Sequence, residues 1–180
     1  MAQNRASRWF KQLDVWELGL CLGLNRRLRF PPLQRYFQIV SRLGDGVFWY
    51  TLILMLPLFP NLQNSRELML KMAATGLACL VIYKPLKRVL SRERPFIALP
   101  SIQCLTPPLD RYSFPSGHSF HAVGFTTVLA LEAPALALGV MPFTLSVLAS
   151  RVVLGLHYPS DVLAGAALGA GVAVTLIGFW

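Results

Sequence analysis

Residues 150–161 read Ser-Arg-Val-Val-Leu-Gly-Leu-His-Tyr-Pro-Ser-Asp, and they join two apolar segments, 134–154 and 160–180, each long enough to span a membrane. A charge at the centre of a bilayer costs about 2.5–3.5 kcal/mol on insertion scales, so Arg151, His157 and Asp161 need a reason to be there. Pro159 is excluded from a helix interior but suits a first helical turn. A helix is therefore expected to begin near Pro159, with His157 just outside it and Asp161 in its first turn. That spacing brings a carboxylate towards the imidazole. A carboxylate on one ring nitrogen fixes the tautomer and leaves the other nitrogen free to attack. A polar helix cap at the membrane interface is the structural alternative.

Outward from this junction the composition is that of a membrane protein. Of 180 residues, 54% are hydrophobic, the mean hydropathy is +0.52, and the apolar residues come in long blocks. The net charge is +9, with cations flanking the apolar blocks. Anionic lipid head groups or a phosphorylated substrate suit that pattern better than nucleic acid. Cys21, Cys79 and Cys104 have no C-x-x-C spacing, so neither a disulfide framework nor a zinc site is expected. Asp14 and Glu17 interrupt the first apolar stretch, which argues against a cleavable signal peptide.

Five spans are expected, at about 47–59, 68–83, 116–131, 134–154 and 160–180. Trp49 and Tyr50 read as interface anchors and Lys71 as a snorkelling cation. Gly44-Asp45-Gly46 reads as a break ahead of the first span. Small residues in the last span, among them Gly165 and Gly169, let helices approach closely and predict a central position. Residues 14–25 alternate acids with apolar residues, as an interfacial helix does. The predicted fold is an all-α integral membrane bundle of about five transmembrane helices with an N-terminal interfacial amphipathic helix. Residues 1–45 form the basic, amphipathic segment and 46–180 the transmembrane domain, with active-site loops at 84–118 and 150–161. Two crossings separate those loops, so they face the same side.

Two further clusters lie in the first loop. Residues 87–95 read Lys-Arg-Val-Leu-Ser-Arg-Glu-Arg-Pro, and Lys87 and Arg94, seven apart, are expected on one helix face that Pro95 terminates. Two long cations on one face suit a phosphate; a basic collar at the membrane edge is the alternative. Residues 114–118 read Phe-Pro-Ser-Gly-His, with Ser116 an N-cap and Gly117 allowing close backbone approach to an anion at the helix N-terminus. His118 follows in the first turn. The three clusters together supply Lys87, Arg94 and Arg151 as cations, two imidazoles and a carboxylate, all on one side of the membrane. That combination points to a phosphate-handling active site.

Lys87-x6-Arg94-Pro95, Pro115-Ser116-Gly117-His118 and Ser150-Arg151-x5-His157-x3-Asp161 resemble the three-part signature of the type 2 phosphatidic acid phosphatase superfamily. The resemblance implies His157 as nucleophile, Asp161 as its orienting carboxylate and His118 as general acid. It implies Lys87, Arg94, Ser116, Gly117 and Arg151 as phosphate-binding. Three fixed cations supply the charge stabilisation that Mg²⁺ supplies elsewhere, so neither a cofactor nor a metal is expected. A His118/His121 metal pair is the alternative. Arg88, Arg92 and Arg111 read as head-group contacts.

The expected function is hydrolysis of a lipid phosphate monoester or diphosphate through a phosphohistidine. Undecaprenyl diphosphate leads, with phosphatidylglycerophosphate, phosphatidic acid or lipid A as alternatives. A transporter or lipid-binding protein with an anion pocket is the reading from another class. The expected partners are a lipid substrate and the membrane, not nucleic acid. Eight cations between Arg5 and Arg42 favour a cytoplasmic N-terminus, and hence a cytoplasmic site. The resemblance implies instead a multi-pass protein of the bacterial inner membrane with a periplasmic site, and that is the expectation carried forward.

Overall fold

The computed structural model describes residues 5–28, 30–59 and 64–180, with side chains described from Leu13 onward. Arg29, residues 60–63 and the side chains of Arg5, Arg8 and Lys11 lie outside that range. Eight α-helices follow in order: α1 (Arg5–Arg27), α2 (Pro31–Arg42), α3 (Phe48–Met55), α4 (Ser65–Leu90), α5 (Pro95–Ala98), α6 (Gly117–Glu132), α7 (Pro134–Val153) and α8 (Pro159–Gly178). Proline occupies the first turn of α2, α5, α7 and α8, where its missing N–H costs nothing. Ser116 caps α6 by accepting the Ser119 amide.

Four helical segments are long and apolar enough to cross a membrane: Pro31–Leu58, Ser65–Ala98, Pro134–Val153 and Pro159–Gly178. The protein is a multi-pass membrane protein. The remaining expected span, α6, has 16 residues and rises about 24 Å at ~1.5 Å per residue. It runs through the middle of the bundle against α4, α7 and α8. The first span differs from the expectation. It starts at Pro31 rather than at Val47, and Gly44-Asp45-Gly46 breaks it from within: Gly46, at φ +138°, kinks the chain between α2 and α3.

The most enclosed helix is α6, whereas α8 buries only a stripe through Gly165, Gly169 and Ala173. A Cβ on Gly165 would lie 2.5 Å from the Ser116 carbonyl oxygen, and one on Gly169 would lie 2.1 Å from that of Phe120. Backbone therefore meets backbone there, as small residues permit. Ala167 and Gly171 are exposed and Ala164, Ala166 and Ala170 half-buried, so the central helix is α6 instead. Trp49 is no interface anchor: it is 2% exposed and packs on Phe48, Phe125 and Phe143 in the core. Lys71 does not snorkel; at 7% exposure it pairs with Glu67 at 2.8 Å and Glu132 at 3.0 Å.

Helix α1 lies along the opposite end of the bundle from that ion pair. Cys21 is buried against Ile102, Val152 and Tyr158. The Asn25 side-chain amide donates to the Gln103 and Val153 carbonyl oxygens, both at 3.0 Å. Val15, Trp16 and Leu20 face outward, which gives the helix the apolar outer surface of an interfacial segment.

Candidate active site

The ends of α4, α6, α7 and α8 that carry the three sequence clusters converge on one cavity of about 570 Å³. Lys87, Arg94, Gly117, His118, Arg151 and His157 all line it. Their convergence follows from topology, since α4 and α7 end and α6 and α8 begin on the same side.

Lys87 and Arg94 meet there by a route the spacing did not predict. Helix α4 stops at Leu90, with Ser91 at φ +21°, and Arg94 is the extended residue before α5. Pro95 opens a helix and does not end one. The two cations converge on Asp110 from the 99–116 loop. Both Asp110 carboxylate oxygens accept from Lys87 Nζ at 2.6 Å, and one accepts from Arg94 Nη2 at 2.7 Å. Burial raises the Asp110 carboxyl, but the hydrogen-bonded ammonium and guanidinium outweigh it and hold the group below the usual carboxylate range. A carboxylate thus lies between two of the cations that the sequence assigns to a phosphate.

Arg94 also fixes the junction. Its Nη1 donates to the Leu156 carbonyl oxygen at 2.8 Å and lies 3.2 Å from Nε2 of His157. The His157 amide bonds the Arg151 carbonyl oxygen at 3.0 Å, closing the turn between α7 and α8. Burial first, then the charges of Arg94, Lys87 and Arg151, push the His157 imidazole well below its ordinary range, so the ring is neutral.

Asp161 sits in the first turn of α8 as expected, but its strongest contacts are not with His157. Oδ2 accepts from the Tyr158 amide at 2.9 Å and stands 3.6 Å from His157 Nδ1. Oδ1 accepts from Arg92 Nη1 at 2.5 Å. Arg92 is no head-group contact: at 3% exposure it also bonds Asp14 and Glu17 of α1 at 2.6 Å and stacks on Tyr158. Arg88 and Arg111 are exposed.

Ser116 and Gly117 divide their expected work. Gly117 lines the cavity, whereas the Ser116 hydroxyl is buried behind it and accepts from the Ser119 hydroxyl at 2.9 Å. His121 bonds the Gly117 carbonyl oxygen through Nδ1 at 2.8 Å. Two polar residues of the first span, Ser41 and the Asp45 of the Gly-Asp-Gly break, carry no expected role in the site. Asp45 bonds Nε2 of His118, and the Ser41 hydroxyl accepts from Nη2 of Arg151. The available signal was an acid and a serine one turn apart at the edge of an apolar block.

Beyond the charged end, the cavity continues between α3 and α4 along Tyr50, Ile53, Leu54, Ala73, Leu77 and Leu80. From Lys87 to Ala73 is about 21 Å of helix at ~1.5 Å per residue. Leu54 and Leu77 are 67% and 63% exposed, so this arm opens on the outer face of the bundle.

Comparison with known proteins gives a consistent result. The profile of the PAP2 superfamily matches residues 67–180. Bacillus subtilis undecaprenyl-diphosphatase BcrC is 35% identical over 131 residues, covering 72% of this chain and 64% of the relative. An undecaprenyl-diphosphatase of Sulfolobus acidocaldarius is 29% identical over 136 residues, covering 74% of this chain and 64% of the relative. The chain thus spans slightly under two thirds of the length of these two curated relatives. Among solved structures, Aquifex aeolicus LpxE superimposes with a TM-score of 0.78 at 25% identity, covering 91% of this chain and 95% of that one.

Proposed function

The chain belongs to the PAP2 superfamily, and on that premise we propose that it is a membrane lipid phosphatase acting on a phosphate monoester or diphosphate, undecaprenyl diphosphate foremost. One observation carries the reading: a cavity with three cations and two imidazoles at one end and an apolar arm of about 21 Å at the other. The first end suits a phosphoryl group and the second a lipid chain. The names of the two curated relatives favour the polyprenyl diphosphate.

In this reading Nε2 of His157 is the nucleophile. The ring is neutral and that nitrogen lies at the cation cluster. The phosphorus–nitrogen bond forms at the terminal phosphorus as its bond to the leaving oxygen breaks (the lipid oxygen of a monoester, the bridging oxygen of a diphosphate), and His118 gives that oxygen its proton. Water then attacks the phosphohistidine, giving its proton back to His118, and inorganic phosphate departs. Lys87, Arg94, Arg151 and the Gly117 amide hold the phosphoryl oxygens. Their charges oppose the negative charge that builds up in transfer. Asp161 orients His157, and Ser116 shapes the helix end behind Gly117. Substrate entry requires the Asp110 carboxylate to give way to a phosphate of higher charge.

The boundary expected at residue 45 falls inside the first span, so the lipid-surface segment is read as α1 and the phosphatase domain as residues 31–180, set in the bacterial inner membrane with the site on the periplasmic face. Arg26, Arg27, Arg35 and Arg42 are exposed, as head-group contacts would be. Because Asp14 and Glu17 of α1 bond Arg92 beside the site, a compartment-specific reporter at the N-terminus reports the side of the site.

The test is phosphate release by detergent-purified protein on undecaprenyl diphosphate, phosphatidylglycerophosphate, phosphatidic acid and lipid A. Release is expected to be fastest from undecaprenyl diphosphate. Binding of all four without release from any would make the protein a lipid-binding or transport protein instead.

A further inference from the structure

We propose that Asp45 is the positioning residue of the acid histidine His118, and that with Ser41 it makes the first span part of the active site. This rests on the phosphatase reading of the same cavity. Both residues lie outside the region that the family profile matches, 67–180. They are four apart on the helical stretch that ends at the Gly46 kink and therefore share a face. From that face Asp45 takes Nε2 of His118, and Ser41 takes Nη2 of Arg151. The first span thus holds one proposed acid and one proposed phosphate-binding cation, from two different helices, within one turn.

The backbone is shaped for this contact. The chain kinks just past Asp45, where Gly46 adopts φ +138°, a conformation other residues rarely take. A regular helix would carry its apolar stripe straight through this position. Instead Asp45, whose side chain is 34% exposed, lines the cavity beside His118.

The chemistry explains why a carboxylate belongs there. A site built from Lys87, Arg94 and Arg151 repels the proton that a general acid must carry. An anion on the acid's far nitrogen counters that repulsion and fixes the ring plane. Protonated His118 then has two N–H donors, Nε2–H held by Asp45 and Nδ1–H left for the leaving oxygen. As the phosphorus–oxygen bond breaks and the bond to His157 forms, the Nδ1 proton moves to that oxygen and Asp45 keeps the Nε2 proton in place.

A plain interhelical clamp makes the same contacts, so the experiment must separate the two. Asp45→Asn keeps the shape and removes the charge. Turnover is measured on a short-chain alkyl phosphate, whose leaving oxygen needs a proton, and on p-nitrophenyl phosphate, whose leaving oxygen does not. Asp45→Asn is expected to lose at least about tenfold more kcat on the alkyl phosphate than on the nitrophenyl ester. The loss should vanish in a His118→Ala background, because there is no acid left to position. Asp45→Glu, which keeps the charge on a longer arm, should recover part of the alkyl activity, and it carries the same comparison if the asparagine variant does not fold. Equal losses on both substrates, or losses that add to those of His118→Ala, overturn the proposal and leave Asp45 a clamp. A wild-type protein that releases no phosphate from either ester overturns the phosphatase reading itself, a different result from a failure of Asp45 alone.

Discussion

Nδ1 of His157 stands 3.6 Å from Oδ2 of Asp161, beyond hydrogen-bond reach, and is a buried nitrogen without a hydrogen-bond partner among the described residues. The carboxylate is held instead by Arg92 at 2.5 Å and by the Tyr158 amide at 2.9 Å. Asp161 is thus preset at a short distance from the ring. A phosphoryl group on Nε2 would draw Nδ1–H and the carboxylate together, so the contact is placed to strengthen during the reaction rather than before it.

The first prediction concerns Arg92, which joins Asp161 to Asp14 and Glu17. Arg92→Gln leaves a fully buried carboxylate without its cation. Breaking such a pair costs about 3–5 kcal/mol, so the unfolding midpoint in detergent should fall sharply. Arg88→Gln, on an exposed residue four positions earlier, should leave the midpoint unchanged. Equal effects would return Arg92 to the surface collar.

The second separates the histidines. His157→Ala should be inactive on alkyl and nitrophenyl phosphates alike, and a rapid quench without acid should trap no phosphoenzyme. His118→Ala should still form phosphoenzyme from the nitrophenyl ester, while its alkyl activity falls by roughly 10²-fold or more. Phosphoenzyme in His157→Ala would remove that residue as nucleophile.

The third is a pH dependence of stability. The folded protein holds His157 neutral, well below its ordinary value of 6.5, whereas the unfolded chain takes up a proton near that value. Below about pH 6.5 the unfolded state therefore binds more protons, and stability present above that pH is lost as the pH falls. The loss due to this ring is at most about 1.4 kcal/mol per pH unit. Unfolding midpoints measured between about pH 7.5 and about pH 5.5 should fall less in His157→Asn than in the wild type. Parallel curves would show that the ring is not held neutral.

The fourth tests the helix contact that carries the α8 half of the site. A Cβ on Gly169 would lie 2.1 Å from the Phe120 carbonyl oxygen, whereas one on Gly171 meets nothing within 4 Å. Gly169→Ala should cost about 1–3 kcal/mol and lower activity by displacing α8 from α6. Gly171→Ala should do neither. Both can be read from thermal unfolding and phosphate release on the same samples.

Much of the site was legible because local chemistry fixed it. Pro159 starts α8 and Ser116 caps α6, as their residue types require. Charges at the ends of apolar blocks pointed to one cavity. What stayed hidden depended on tertiary placement. Arg92 looked like its neighbours in a basic run because its acids, Asp14 and Glu17, lie 78 and 75 residues away. Gly-Asp-Gly is ordinary turn chemistry and does mark the kink at Gly46, but nothing local shows that Asp45 meets His118, 73 residues away. Trp49 was assigned to the interface by residue type, yet three aromatic neighbours from its own and other helices enclose it.

The apolar arm between α3 and α4 has a kinetic corollary. Because Leu54 and Leu77 leave that wall facing outward, the proposed lipid substrate would reach the cations by sideways travel within the bilayer and would never need to enter bulk water. Its search is two-dimensional, and the quantity that governs occupancy is mole fraction in the membrane. Adding buffer to a suspension of vesicles would then leave the rate per vesicle unchanged, whereas adding inert lipid would slow it in proportion.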